Sequence, residues 1–370
     1  MNASVIKYPV VKPYLPEKDK YTSQVSEIFS RNWLTNSGPL VQALEMRLAE
    51  YLGVEHLLLV ANGTLALQVA YAALDVKGEV LTTPFSFAAT ASSLCWQGIK
   101  PHFIDIDADS LNFDVSTVTP EHAESASAIL AVHVFGNPCD VDKIAQVSQQ
   151  YNLKVIYDAA HAFASNFEGK SVLNYGDAST LSLHATKLFH SVEGGAIVFK
   201  NQADYVKAKQ LINFGFDSAG YPQYVGINAK MSEFHAAMGL AVLDDIDYVT
   251  CQRKALINHY HMQLENVLQL QIWHEQGARN GAYMPVIFEN EQQLIAVIGL
   301  LGDAGIQSRR YFYPSLSQVP AYGMQGKTDI ANDISARILC LPMYTDLQLT
   351  DVDVICTKLK HALSVFEQSL

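Results

Sequence analysis

The chain has 370 residues, 49% hydrophobic and 17% charged, enough for more than one core, because single cores stop growing near ~250–300 residues. A formal net charge of -12 runs against the basic excess of a nucleic-acid-binding surface; anionic small molecules remain possible ligands through backbone amides or a local arginine. Five scattered cysteines, Cys95, Cys139, Cys251, Cys340 and Cys356, form no C-x-x-C pair, which excludes a disulfide frame and a zinc site and points to a reducing, cytoplasmic setting with no metal.

The opening segment MNASVIKYPVVKPYLPEKDK lacks a basic stretch followed by an apolar core, so no signal peptide is expected. No apolar run approaches the ~18–20 residues of a membrane helix. YTSQVSEIFSRNWL and LVQALEMRLAEYLG carry helical spacing, the second stopped by Gly53. HLLLVANGTLALQVAYAALDV reads as a strand, a turn at Asn62–Gly63 and a helix from about Thr64. EVLTTP, KPHFIDID, AILAVHVFG, LKVIYDAA and LSLHA are strand-like apolar runs, with helix-like stretches such as DVDKIAQVSQQYNL between several of them. Continuous apolar strands alternating with helices signal a mostly parallel α/β sheet. LSLHA is expected to carry Lys187 at its end, before Gly194, Gly195 and a further run, AIVF. KMSEFHAAMGLAVLDDIDYVTCQRKALINHYHMQLENV reads as one long helix leading out of the large domain. AYMPVIF, NEQQLIAVIGLLGDAG, IQSRRYFY and DVDVICTKLKHALSVFEQ then suggest a compact α/β lobe. The expected division is 1–245 for a large domain with a helical lead and 246–370 for a small C-terminal domain.

Ligands of open α/β sheets sit beyond the carboxyl ends of strands, and three such ends carry polar residues. At Gly63 and Thr64 a helix start offers free N–H groups to a phosphate, although Asn-Gly is also ordinary turn chemistry. Asp158 closes an apolar strand, where a carboxylate needs a cation or serves as a helix cap; His161, three residues on, can equally be a bonded core histidine. Lys187 follows an apolar run, and a desolvated lysine becomes a nucleophile able to form a Schiff base. A phosphorylated aldehyde with a ring nitrogen would use all three ends, and pyridoxal phosphate is that molecule.

The stretches NWLTNSGPLVQALEMRLAEYLGV, VANGTLAL, TTPFSFAAT, VIYDAAHAF, LSLHATK, EGGAIV, GINAKMSEFHAAMGL and ARILCLPMYTDL resemble the DegT/DnrJ/EryC1/StrS sugar aminotransferases, through most of the chain. The resemblance implies a pyridoxal-phosphate-dependent transferase of fold type I, with a mostly parallel seven-stranded sheet in the large domain. It implies that Lys187 carries the cofactor and acts as base, and that Asp158 pairs with the ring nitrogen. His161 would lie by the phenolic oxygen or support Asp158. Gly63, Thr64 and Ser182 would hold the phosphate. Phe87 would stack on the ring, with Phe85 as the alternative, and Asn228 would reach the phosphate of a partner subunit, making the enzyme a homodimer with shared sites. The cofactor would alternate between pyridoxal 5'-phosphate and pyridoxamine 5'-phosphate as L-glutamate leaves as 2-oxoglutarate. HATKLFHSVEGGAIV, GNPCDV and DAAHAF look closest to enzymes that aminate dTDP-4-keto-6-deoxyglucose for O-antigen synthesis. In SRRYFYPSL, Tyr313 and Arg310 are candidates for the nucleotide-sugar; Arg309 is the neighbouring choice.

Amination at C3, or of a UDP-linked sugar, is open on these residues. A 3-dehydratase of the same family carries histidine where this chain has Lys187. A dehydrogenase would need a G-x-G-x-x-G turn after the first strand, which is absent, and a non-catalytic binding module leaves Lys187 and Asp158 without a purpose.

Overall fold

The structure, a computed structural model, describes residues 6–323 and 326–369; the first five residues of the segment read for a leader lie outside that range. Seven strands form the main sheet: β1 (His56–Val60), β2 (Glu79–Thr82), β3 (Lys100–Phe103), β4 (Ala126–Val132), β5 (Lys154–Asp158), β6 (Ala178–Ser182) and β7 (Gly195–Phe199). Their order is β1-β7-β6-β5-β4-β2-β3. β3, β2, β4, β5 and β6 are parallel, and β7 runs antiparallel to both neighbours. The mostly parallel seven-stranded sheet is thus as the sequence implied.

Alternation along each strand divides the core into two layers, since successive side chains leave a strand on opposite faces. Leu57, Leu59, Ile129, Ala131, Val155 and Tyr157 pack with Leu44 and Leu48 of helix Pro39–Leu52 and Leu240 of helix Glu233–Leu243. Leu58, Val60, Ala128, Leu130 and Ile156 meet the other face, covered by helices Gly63–Ala73 and Gln202–Leu211. Gly53 ends the helix before β1 with a left-handed backbone, φ 63°, the conformation that favours glycine there.

The stretch expected to be one long helix is two, Glu233–Leu243 and Ile246–Leu264. The break falls at Asp244–Asp245, where the Asp245 carboxylate turns outward to take Tyr14 and Lys20. Asp245 leaves the helical region at the break, with φ -110° and ψ 8°. Glu233 begins the first of the pair and is 1% exposed. Its carboxylate accepts the backbone N–H groups of Leu40 (3.0 Å) and Val41 (2.9 Å) at the start of helix Pro39–Leu52. A carboxylate there caps unpaired donors and complements the helix dipole.

Beyond Ile246, a three-stranded sheet is built from Gln269–Leu270, Met284–Ile287 and Ile338–Leu341. Helices Glu291–Asp303 and Leu349–Glu367 cover it, burying Leu294, Val297, Leu301, Ile355 and Leu359 in a separate apolar cluster.

Candidate active site

Loops at the carboxyl ends of β1, β2, β4, β5 and β6 surround one cavity of about 440 Å³, lined by Asn62, Gly63, Thr64, Phe87, Asp158, His161, Ser182 and Lys187. Tyr283, Arg309, Tyr311 and Phe312 close it from the C-terminal side.

Lys187 does not end a strand. β6 stops at Ser182, opposite Gly195 of β7. The chain then folds back through Leu183 N–H to Gly194 O (2.8 Å) and Ala185 N–H to Val192 O (2.7 Å). These two bonds carry the β6–β7 register (Ser182 opposite Gly195) past the strand ends into a hairpin-like loop, and that loop holds Lys187 at the cavity. Burial pulls the Lys187 amine down to about 8, against the opposing charges of Asp158 and Tyr311.

Asp158 lies at the end of β5 and accepts hydrogen bonds from Thr90 Oγ1 (2.8 Å) and the N–H of Ala160 (3.1 Å). Burial raises its pKa, opposed by Thr90, Ala160 and Lys187. His161 Nδ1 accepts the Phe135 N–H at 3.3 Å, so its other nitrogen carries the proton in the neutral ring. Burial, then the nearby Lys187, hold that ring neutral. Its ring is parallel to Phe135 and Phe312.

The turn at Asn62–Thr64 is tightly shaped. Asn62 Oδ1 caps the helix by accepting the Leu65 N–H at 2.9 Å, leaving the earliest N–H groups to a ligand. A side chain on Gly63 would place its Cβ 2.9 Å from Ser182 Cβ, and one on Gly195 would fall 2.4 Å from the Asn62 carbonyl oxygen. β1, β6 and β7 therefore approach each other at the turn as only glycine permits. The donor set fits a phosphorylated pyridine aldehyde. Helix-start amides and a hydroxyl suit a phosphate, a buried carboxylate with spare acceptor capacity suits a protonated ring nitrogen, and a desolvated amine suits a carbonyl.

Phe87 is 54% exposed at the cavity wall, whereas Phe85 is fully buried among Phe135 and Phe312. Asn228 lies outside the cavity of its own chain, exposed, with Oδ1 accepting from Lys230 Nζ at 2.8 Å. Tyr313 and Arg310 line an adjoining hollow of about 250 Å³. Arg310 is already engaged by Glu291 Oε1 (2.6 Å) and Ala336 O (2.7 Å) and covers the Tyr313 ring; Arg309 is the arginine that lines both spaces.

Sequence reasoning missed Thr90, Tyr283, Tyr311, His184 and Glu193, of which the last four line the cavity. Thr90 stands in the first turn of helix Ala88–Trp96, its hydroxyl 2.7 Å from that of Ser86 in the loop just before the helix. Tyr283 had no local signal, because its neighbours are distant in sequence.

The profile of the DegT/DnrJ/EryC1/StrS aminotransferase family matches residues 16–360. The chain belongs to this family. The DegT/DnrJ/EryC1/StrS enzymes are pyridoxal-phosphate-dependent aminotransferases. Among relatives of this family member, a dTDP-4-amino-4,6-dideoxy-D-glucose transaminase of Shigella dysenteriae is 40% identical over 359 residues, covering 95% of this chain and 98% of that one. The Escherichia coli protein of the same name is 38% identical, with 95% and 97% covered. The crystal structure of DesI in the presence of its TDP-sugar product superposes with a TM-score of 0.92 at 31% identity, covering 99% of this chain and 96% of that one.

Proposed function

We propose that this aminotransferase moves the amino group of L-glutamate to C4 of dTDP-4-keto-6-deoxy-D-glucose, forming dTDP-4-amino-4,6-dideoxy-D-glucose for surface-polysaccharide (O-antigen) synthesis. The observation that carries the chemistry is the meeting of the Lys187 amine, the Asp158 carboxylate and the Gly63–Thr64 helix start in one cavity. The two dTDP-sugar transaminases, matched over nearly their whole length, support the substrate.

Pyridoxal phosphate, when bound, supplies a conjugated ring that takes up the charge left as a proton leaves the carbon bearing nitrogen. The N–H groups of Gly63 and Thr64 and the Ser182 hydroxyl would hold its phosphate. Asp158 would keep a proton at its ring nitrogen, Phe87 would cover a face, and His161 would stand beside the ring or brace Asp158. Lys187 Nζ would bind the aldehyde carbon and, once released, move the proton. A lysine held near 8 has an appreciable free-base fraction at neutral pH, which both roles require. Arg309 is placed to meet an anionic group of either substrate.

The enzyme would work as a homodimer in the cytoplasm. Its five cysteines are unpaired, which suits a reducing compartment. Phe214, Tyr221, Val225 and Ile227 are exposed, Val225 at 99%, in the same segment as Asn228. Such an apolar surface favours covering by a second copy, which would bring Asn228 to the partner's cavity.

The test is incubation with glutamate and a panel of keto-sugar nucleotides, followed by NMR. Nitrogen at C4 of the dTDP-linked sugar is the expected result. Nitrogen at C3, or turnover of UDP-sugars alone, would overturn the substrate assignment, and no amination of any sugar would overturn the activity.

A further inference from the structure

Tyr283 has a side chain whose ring is fully accounted for by packing and whose hydroxyl is not. The ring lies 4.4 Å from that of His161, 5.5 Å from Phe135 and 5.8 Å from Tyr311, centroid to centroid. Phenylalanine would fill that space equally well. The hydroxyl instead accepts a hydrogen bond from Lys187 Nζ at 3.2 Å. Burial pushes the phenol well above its ordinary value, so it meets the amine as a neutral group.

The backbone around Tyr283 is fastened to the loop that follows β5. Asn280 Nδ2 donates to the carbonyls of His161 (2.8 Å) and Phe163 (3.1 Å), while its Oδ1 accepts the Ala282 N–H (2.9 Å). From below, Arg253, 2% exposed, donates through Nη1 to the carbonyls of Gly281 (3.4 Å) and Ala282 (3.3 Å). Its approach leaves no room for a side chain at Gly281, whose Cβ would fall 2.6 Å from the Arg253 carbonyl oxygen. One clamp thus joins the segment carrying Tyr283 to the segment carrying Asp158 and His161.

We infer that Tyr283 is a positioning residue for Lys187, its hydroxyl giving the amine a fixed hydrogen-bond partner whenever the amine is not covalently engaged. The inference rests on the reading of Lys187 as the cofactor lysine. A free lysine with four rotatable bonds would otherwise sample many rotamers, and the hydroxyl holds it ready for return. Other charged or titratable groups facing this amine are Asp158, His161 and Tyr311, with His184, Glu193 and Arg309 along the same wall. The side chain of none of these is hydrogen-bonded to the Lys187 amine, although the His184 carbonyl accepts the Lys187 backbone N–H.

The test uses cofactor-free protein and Tyr283→Phe, which deletes one oxygen and keeps the ring. The rate at which each takes up pyridoxal phosphate, with loss of water from the amine and aldehyde, is followed by visible absorbance between pH 6 and 10. A hydroxyl that accepts from the ammonium favours the charged form, so its removal lowers the midpoint of the pH–rate profile. The expected result is a midpoint about half a pH unit or more below the wild type, with the plateau rate at high pH reduced roughly 5- to 10-fold. An unchanged midpoint overturns the inference, whether or not the plateau falls, because a purely structural effect lowers the rate without moving the titration. Borohydride reduction and peptide mapping separate the two levels: wild-type label absent from Lys187 removes the cofactor reading itself, whereas label on Lys187 with identical profiles removes only the role of Tyr283.

Discussion

Thr90 Oγ1 donates to Asp158 Oδ2 across 2.8 Å, joining the first turn of helix Ala88–Trp96 to the end of β5. The bond favours the ionised carboxylate against burial that disfavours it. Thr90→Val keeps the shape and removes the donor. A hydrogen bond to a charged group is worth about 1.5–3 kcal/mol, so kcat is expected to fall roughly 10-fold or more, with KM for the sugar nucleotide changing less. Steady-state kinetics at saturating cofactor decide it, and a wild-type kcat would show that Asp158 needs no help from Thr90.

Gly38 and Glu233 form a second dependency. A Cβ at Gly38 would lie 2.6 Å from the Glu233 carboxyl carbon, the group that holds the Leu40 and Val41 N–H groups. Gly38→Ala must displace it, and Glu233→Ala removes it; each is expected to cost about 1–3 kcal/mol. Because both act on one contact, the double variant should lose less than the sum of the singles. Denaturant unfolding of the three variants checks this; strictly additive losses would mean the two positions act independently.

Gly195→Ala should act on the cofactor as well as on stability. The new methyl would press on the Asn62 carbonyl and the Gly63 nitrogen, both backbone atoms that cannot swing aside. Moving that turn misaims the helix-start amides, so affinity for pyridoxal phosphate is expected to drop at least 10-fold. Equilibrium dialysis measures it directly. Wild-type affinity in a folded variant would indicate that the phosphate lies elsewhere.

Local signals carried far in this chain where one face of an element decides its fate. The strands from His56–Val60 to Lys154–Asp158 were legible because their apolar runs have covered faces on both sides. Gly63, Thr64, Phe87, Asp158, His161, Ser182 and Lys187, each a candidate from the sequence, line one cavity. What escaped was set by contacts distant in sequence. LSLHA looks like a strand to its end; the regular strand stops at Ser182, while Leu183 with Gly194 and Ala185 with Val192 continue its register into the loop that holds Lys187. The helix breaks at Asp244–Asp245, beside the contacts of the Asp245 carboxylate with Tyr14 and Lys20 more than 200 residues earlier. Arg310 and Arg309 are adjacent in sequence, and only Glu291 and Ala336 reveal which of the two is committed elsewhere.

Lys187 should leave a signature in the pH dependence of stability of the cofactor-free protein. Its pKa is about 8 when folded against an ordinary 10.5, so between those limits the unfolded chain holds a proton that the native one has released. Stability therefore rises with pH through that window. Below about pH 8 both states are protonated, and the full penalty of a buried ammonium applies, on the order of 3 kcal/mol. Lys187→Met replaces the amine with an apolar chain of similar length. It is expected to be the more stable protein at pH 7 by up to about 3 kcal/mol, with the advantage shrinking to nothing near pH 10.5. The same variant should fail to take up pyridoxal phosphate covalently and should lose turnover, so stability is gained where function is lost. Urea titrations of both proteins at several pH values between 6 and 10.5 provide the measurement. A difference independent of pH would show that the amine is solvated in the native fold, and its proposed chemistry would lose the lowered basicity on which it depends.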